Sequence, residues 1–295
     1  MKVEQVIIVG AGPAGLATAI QLKRYRIQPL LFERAQAGGL LWNANLVENY
    51  PGFPLGISGP DLVSLFVRQA QHLRIDVTYE EVIELAYDQE MFQVRSAQKK
   101  YTSRLVVIAT GTKPLRFADL SIPMDIAERV FYEVKDLLQA ESKHIVIVGS
   151  GDAAFDYALN LCKKNQVTIL NRSEKPKCLP LLWERVQKVS NITYRKLTEI
   201  CSLKKDAMDG ILVDCQSPAG ELQFHADYLV GAIGREAQLG CLSEAFLSQA
   251  RALEEQGILY MIGDVKNGIF RQTSIAVGEG VLAAMKIYRH LKEIA

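Results

Sequence analysis

Residues Val6–Glu33 read VIIVGAGPAGLATAIQLKRYRIQPLLFE, and their order decides the fold. A β-rich apolar run enters a glycine turn. A segment with Leu16, Ala17, Ile20 and Leu22 at helical spacing follows, and PLLFE closes it as a second strand. Strand, crossover helix and strand in this order imply parallel pairing in an α/β architecture. The turn is Gly10-Ala11-Gly12-Pro13-Ala14-Gly15. Its glycines stand where a tight bend, a backbone approaching a pyrophosphate and close helix packing each disfavour a side chain. The helix start then offers N–H groups and the positive end of its dipole to phosphates. Glu33 ends the next strand, eighteen residues past Gly15, where a carboxylate can accept both hydroxyls of an adenosine ribose. A bare G-x-G-x-x-G is weak, because glycine turns after strands are common. The flanking strand, the helix and Glu33 together give it the context of a dinucleotide site.

The same order of parts recurs in HIVIVGSGDAAFDYALNLCKKNQVTILN, His144–Asn171. Its turn, Gly149-Ser150-Gly151-Asp152-Ala153-Ala154, has alanine at the third small position, which still permits close packing. The following strand runs into NRSEKPK, with no acidic residue where a plain ribose would be gripped. Arg172, Lys175 and Lys177 are there instead. They suit a 2′-phosphate through charge-assisted bonds of about 1.5–3 kcal/mol each. NADPH is therefore expected, with NADH as the alternative; an ordinary solvated basic loop is the bland reading.

Between the two units the spacing predicts a helix over 61–73 and strands near EVIELAY, MFQVRS and RLVVIATG. Beyond the second come a helical LPLLWERVQKV, strands near ITYRKLTEI, ILVDC and ADYLVGAIG, and a closing helix, TSIAVGEGVLAAMKIYRHLKEI.

Composition narrows the function classes. The chain has 295 residues, 34 basic and 33 acidic, so its net charge of +1 lacks the basic footprint expected of a nucleic-acid binder. No apolar run is long enough to span a bilayer, and MKVEQ leads straight into a strand without a leader pattern, so no membrane partner and a cytoplasmic location are expected. The five cysteines, at 162, 178, 201, 215 and 241, form no C-x-x-C and no metal-ligand spacing. Reduced, mostly buried thiols are the simple reading, with a pair assembled only by the fold left open. The four histidines show no metal spacing either, and no metal is expected.

GAGPAG with Glu33, GGLLWNANLVENYPGF, ATGTKP, GSGDAAFDYA, GAIGREA and GDVKNGIFRQTSIAVGEG together resemble the thioredoxin reductase branch of the two-dinucleotide-domain flavoproteins. The resemblance covers nearly the whole chain. It implies two Rossmann-like domains: a discontinuous FAD-binding domain, 1–119 and 243–295, and an inserted NAD(P)-binding domain, 120–242. By this resemblance Gly10, Gly12, Pro13, Ala14, Gly15, Glu33, Gly38, Gly39, Leu40, Val82, Ala109, Thr110 and Gly111 would bind FAD. Gly263 and Asp264 would meet its ribityl chain, and Asn49, Arg271 and Gln272 its flavin. Gly149, Gly151, Asp152, Ala153, Arg172 and Lys177 would hold NAD(P)H. A homodimer and a hinge between the domains are implied too. Trp42 is expected either to stack near the flavin or to be an ordinary packing residue.

The departures are equally specific. Thioredoxin reductases carry a Cys-x-x-Cys before the second glycine motif, because one thiolate must reach the flavin and another must resolve the mixed disulfide. Here that place is ERVFYEVKDLLQAESKHIVIVG, Glu128–Gly149, without a cysteine. The family's HRR becomes NRS, which keeps Arg172 and replaces the second arginine by Ser173, and Leu40 replaces a glutamine. VFYEVKD and DYAL are similar to the thioredoxin-reductase-like ferredoxin–NADP reductases. Those enzymes also lack the cysteine pair, but they carry a C-terminal extension over the flavin, whereas this sequence ends at Ala295. A bacillithiol-disulfide-reductase pattern fits less well, having cysteine where Ala14 stands. The expectation is an FAD-dependent NAD(P)H oxidoreductase whose acceptor, a ferredoxin-like protein or a small molecule, is not served by a C-x-x-C relay. A divergent disulfide reductase and a non-catalytic flavin-binding regulator are the alternatives. Phe131 and Tyr132, near the missing thiols, would line an acceptor site or pack a seam between domains.

Overall fold

The computed structural model describes residues 3–207 and 209–293, and the chain divides into two compact units. The first comprises 1–42, 47–113 and 236–295; the second comprises 43–46 and 114–235. The changeovers fall a few residues before the expected 119/120 and 242/243, and the short piece 43–46, which follows the Gly38-Gly39 turn, joins the second unit.

In the first unit, β1 (Val3–Val9), α1 (Pro13–Arg24) and β2 (Leu30–Glu33) form the expected parallel crossover, with Ile8 opposite Leu31. They are followed by α2 (Gly59–His72), β3 (Val77–Tyr79), β4 (Val82–Asp88), β5 (Met91–Ser96) and β6 (Lys100–Ile108). Ser58 caps α2, its Oγ accepting the Asp61 N–H at 3.2 Å, which explains why the helix starts slightly ahead of the apolar pattern. The sheet order is β3-β2-β1-β6-β5-β4.

The chain leaves this unit through β7 (Thr112–Pro114) and returns through β16 (Arg235–Ala237), which pair as a two-stranded ribbon. Between them lie β8 (Val130–Phe131), β9 (His144–Val148), α3 (Asp152–Leu161), β10 (Gln166–Leu170), α4 (Pro180–Gln187), β11 (Ile192–Arg195), β12 (Glu199–Lys205), β13 (Ile211–Ser217), β14 (Gly220–Ala226) and β15 (Tyr228–Gly231). A parallel sheet β11-β10-β9-β15-β8 is accompanied by an antiparallel sheet β12-β13-β14. The run ITYRKLTEI, expected as one strand region, is broken at Leu197, whose φ of 50° ends β11 and sends β12 into the other sheet.

Back in the first unit, α5 (Glu244–Glu255), β17 (Leu259–Met261) and α6 (Thr273–Glu293) complete the fold, with β17 parallel to β6. Ile294, the last residue of the expected closing helix, lies outside the described residues. Thr18 Oγ1 on α1 donates to the Gly280 carbonyl at 3.2 Å, so α6 lies directly on the helix of the first glycine motif. Among the described residues no helix is long and apolar enough to cross a membrane.

Candidate dinucleotide sites

The first glycine turn is set by backbone sterics. Gly10 has φ of +105°, and a Cβ on it would lie 2.4 Å from the Ala109 carbonyl oxygen. The turn therefore presses against the end of β6, and ATGTKP is its neighbour. Helix α1 begins with Gly12 as N-cap and Pro13 in its first turn, with no side-chain cap and no acidic residue in that turn. Its first N–H groups are thus available to an anion. Gly38 N–H donates to the Ala11 carbonyl at 2.8 Å, and a Cβ on Gly39 would be 3.3 Å from Gly12 Cα. From another side a Cβ on Gly263 would be 3.0 Å from Ala14 Cβ, which sets the Gly263-Asp264 turn against the same helix start. The Gly263 N–H is held by Glu279 Oε2 at 2.6 Å. Three glycine-bearing turns, far apart in sequence, so converge on one helix N-terminus, with Leu40 half-buried after the second.

Glu33 turns its carboxylate back onto the loop: Oε2 accepts the Ala11 N–H and Oε1 the Ala35 N–H, each at 3.0 Å. It borders a cavity of about 310 Å³ lined also by Gly10, Arg34, Val82, Thr110 and Gln238. Gln238 Oε1 is buried without a hydrogen-bond partner among the described residues. Such an acceptor suits a donor from a ligand. The uncapped helix start, the carboxylate at the strand end and this acceptor fit the adenosine diphosphate half of FAD. Arg34 and Gln238 were not singled out in the sequence. Gln238 directly follows GAIGREA, and only the fold brings it to Thr110, whose Oγ1 donates to its carbonyl at 2.7 Å.

Asn49 and Gln272, 223 positions apart, are hydrogen-bonded to each other: Asn49 Nδ2 donates to Gln272 Oε1 at 2.7 Å, and Ser274 Oγ donates to the Asn49 carbonyl at 3.2 Å. Both side chains are exposed. Arg271 directly precedes Gln272 in sequence. Trp42 supports the glycine turn, its Nε1–H donating to the Ala37 carbonyl at 2.8 Å, while a Cβ on Gly38 would be 2.9 Å from that nitrogen. The packing reading of Trp42 thus has direct contacts behind it.

The second glycine turn repeats the first. A Cβ on Gly149 would meet the Ala232 carbonyl oxygen at 2.3 Å, whereas one on Gly151 would enter open space, on the side where a ligand would approach. Ala153 is exposed and Ala154 fully buried. Asp152 is committed to the scaffold: its Oδ1 accepts the Leu179 N–H at 2.8 Å, and the Lys177 N–H donates to the Ser150 carbonyl at 2.7 Å. Asn171 occupies the strand end where an acidic residue would grip a ribose. It is buried, donating to the Lys175 carbonyl at 3.1 Å and Tyr194 Oη at 2.8 Å and accepting the Ser173 N–H at 2.9 Å. The loop it organises leaves Arg172, Lys175 and Lys177 exposed, without ion pairs among the described residues. These cations fit the 2′-phosphate of NADPH.

The stretch in place of the cysteine pair is integrated into the second unit. Tyr132 is buried, with the Arg116 guanidinium 4.2 Å over its ring and Phe117 packed at 5.5 Å; Phe131 lies edge-on to Tyr228 at 5.7 Å. Glu133 pairs with Arg235 at 2.9 Å. The N–H groups of Val134 and Lys135 both donate to Asn43 Oδ1 at 3.0 Å. All five cysteines are free thiols. Burial pushes the Cys162, Cys178 and Cys241 thiols up, and Cys215 up to about 12, the direction opposite to that of a reactive thiolate.

Two α/β units, each with a glycine turn at a helix N-terminus, define a two-dinucleotide-domain flavoprotein of the thioredoxin reductase type. The chain belongs to the pyridine nucleotide-disulphide oxidoreductase family, whose profile matches residues 4–280. It is 29% identical to NADPH-dependent thioredoxin reductase 3 of Arabidopsis thaliana, over 98% of this chain and only 58% of that longer protein. It is 28% identical to the thioredoxin reductase of Bacillus subtilis, over 99% of this chain and 96% of the relative. The crystal structure of T. acidophilum thioredoxin reductase superposes with a TM-score of 0.84 at 26% identity, covering 99% of each chain.

Proposed function

We propose that the protein is an FAD-dependent oxidoreductase that draws electrons from NADPH and delivers them to an acceptor without a Cys-x-x-Cys relay. When bound, FAD supplies hydride acceptance and conversion between two-electron and one-electron transfer. The chain supplies the cradle. The start of α1 with Gly38, Gly39 and Gly263 receives the pyrophosphate, Glu33 and Gln238 the adenosine end, and the Asn49–Gln272 pair the ring system. Arg172, Lys175 and Lys177 grip the 2′-phosphate.

The observation that carries this reading is the stretch 128–149. It is anchored through Tyr132, Glu133 and the Val134 and Lys135 N–H groups, and it holds no thiol. A ferredoxin-like protein or a small oxidant is the corresponding acceptor, and a homodimer the corresponding assembly. The family itself favours a second reading, a disulfide acceptor reached through cysteines outside a C-x-x-C.

Anaerobic titration of the purified protein separates these readings. Stoichiometric NADPH is expected to bleach the flavin, and ferricyanide to restore its colour at the same rate after the thiols are alkylated. A flavin that neither NADPH nor NADH bleaches sinks the proposal, and loss of turnover on alkylation transfers support to the disulfide reading.

A further inference from the structure

Gln238 is held at both of its backbone groups. Its N–H donates to the Gly111 carbonyl at 2.9 Å, and its carbonyl accepts Thr110 Oγ1 at 2.7 Å. Three residues on, the Cys241 carbonyl accepts the Leu85 N–H at 2.9 Å, so the chain after Gln238 is fastened to β4 as well. The side chain therefore starts from a fixed point on the wall of the cavity that Glu33 borders. Its amide nitrogen lies toward Gly240, 3.6 Å from where a Cβ on that glycine would stand. Its Oε1 is buried with no partner among the described residues. A buried acceptor left unpaired is costly, and one on a cavity wall is satisfied by a ligand that brings a donor.

We propose that Gln238 Oε1 accepts from the exocyclic amine of the FAD adenine and selects adenine over a purine with an oxygen in that place. This role rests on the FAD binding proposed above and adds a choice of base to it. Val9, Phe32 and Val82 give the cavity buried apolar surface of the kind that suits a flat base. Its charged side chains are mostly acceptors, the carboxylates of Glu33, Glu80 and Glu81, with Arg34 as the one cation among the described lining residues. The adenosine half of FAD brings donors of two kinds, the ribose hydroxyls and the amine of the base. Glu33, at the end of β2, is the partner of the hydroxyls, which leaves the amine for Gln238. Hypoxanthine in place of adenine sets a carbonyl oxygen against Oε1. Two acceptors then face each other and both stay unpaired, so the wrong base is rejected by hydrogen bonding at nearly unchanged size.

The test uses the full-length protein freed of flavin and titrated with FAD and with flavin hypoxanthine dinucleotide, flavin fluorescence giving Kd for each. Wild type is expected to bind FAD at least about tenfold more tightly than the analogue. Gln238→Met keeps the length of the side chain without its oxygen. It is expected to bind FAD about tenfold more weakly than wild type and to lose the preference between the two bases. Thermal unfolding of the flavin-free proteins is the second measurement. Methionine removes an unpaired buried acceptor, so the variant is expected to melt no lower than wild type. A lower midpoint assigns Gln238 to the scaffold and overturns the proposal. Tight FAD binding by wild type with equal affinity for the analogue overturns it too, and leaves FAD binding itself intact. So does a variant that loses affinity for both dinucleotides equally, which would place Oε1 against a ribose hydroxyl. A wild-type protein that takes up neither dinucleotide overturns the FAD-binding role and the choice of base together.

Discussion

Arg172 is the residue at which cofactor choice is tested most directly. It is exposed and unpaired among the described residues, as are Lys175 and Lys177, while the neighbouring Asn171 is spent on bracing their loop. Replacing Arg172 by Ala removes one charge-assisted contact to a 2′-phosphate, a loss of about 1.5–3 kcal/mol, or roughly a tenfold to hundredfold rise in KM for NADPH. KM for NADH, which has no such phosphate, is expected to change less than about threefold. Steady-state kinetics with both nucleotides read the difference, and equal effects on the two would assign Arg172 to folding of the loop. At this scale the sequence is informative wherever backbone geometry forces the residue. Gly10 and Gly149 are legible because a side chain at either would strike a carbonyl oxygen of a neighbouring strand or its end. Gln238 is illegible because its buried acceptor acquires meaning only from the cavity around it.

The segment Asn43–Leu46 shows what one short element can do across a chain. It belongs to the second unit, held there by Asn43 Oδ1 and by Asp156 on α3, whose Oδ2 accepts the Asn45 N–H at 2.8 Å. Lys163 Nζ donates to Asn45 Oδ1 at 2.7 Å. Burial raises Asp156 from 3.8 to about 6, against the opposing pull of the Asn45 and Leu46 N–H groups and Lys163; Asp152 adds to the rise. The folded protein therefore holds this proton more tightly than the unfolded chain. The associated stability is complete below the unfolded value and is lost as pH rises through about 6, on the order of 3 kcal/mol by neutral pH. Asp156→Asn keeps an acceptor without the charge. Its unfolding midpoint relative to wild type should climb steadily between about pH 4 and pH 7, and a difference flat across that window would remove the buried carboxylate as its cause. None of this was readable from DYAL, since an aspartate on a helix reveals neither its burial nor the loop it receives. Helix α5 and strand β14 were not anticipated either, and the break at Leu197 places a bulky residue in a backbone region that local sterics disfavour. Elements whose apolar periodicity or glycine punctuation is local, such as β1-α1-β2 and β9-α3-β10, were read from sequence with their correct order.

For the whole molecule, the distribution of the core argues that the second unit is an independent folding body. Among the described residues four hydrophobic clusters make up the interior, and none of the four draws residues from both units. The clusters around Leu16 and Phe92 belong to the first, and those around Phe155 and Val213 to the second. The two ends of the second unit meet as well, since the Leu115 N–H donates to the Gly234 carbonyl at 3.0 Å, so cutting the chain there leaves no long loose arm. The fragment 114–235 should therefore unfold in one cooperative transition and be retained on a 2′,5′-ADP matrix until NADPH displaces it, because Arg172, Lys175 and Lys177 all lie within it. It lacks Asn43–Leu46, so Asp156 loses the N–H groups that cover it and becomes solvated. Asp156→Asn, which alters the pH dependence of the intact chain, should leave the fragment's midpoint nearly unchanged from about pH 4 to pH 7. A fragment that melts without a cooperative transition would show that the first unit is needed to hold the second together. A fragment that keeps the full pH effect would show that the burial of Asp156 comes from α3 and its own neighbours and not from the four-residue segment laid over it.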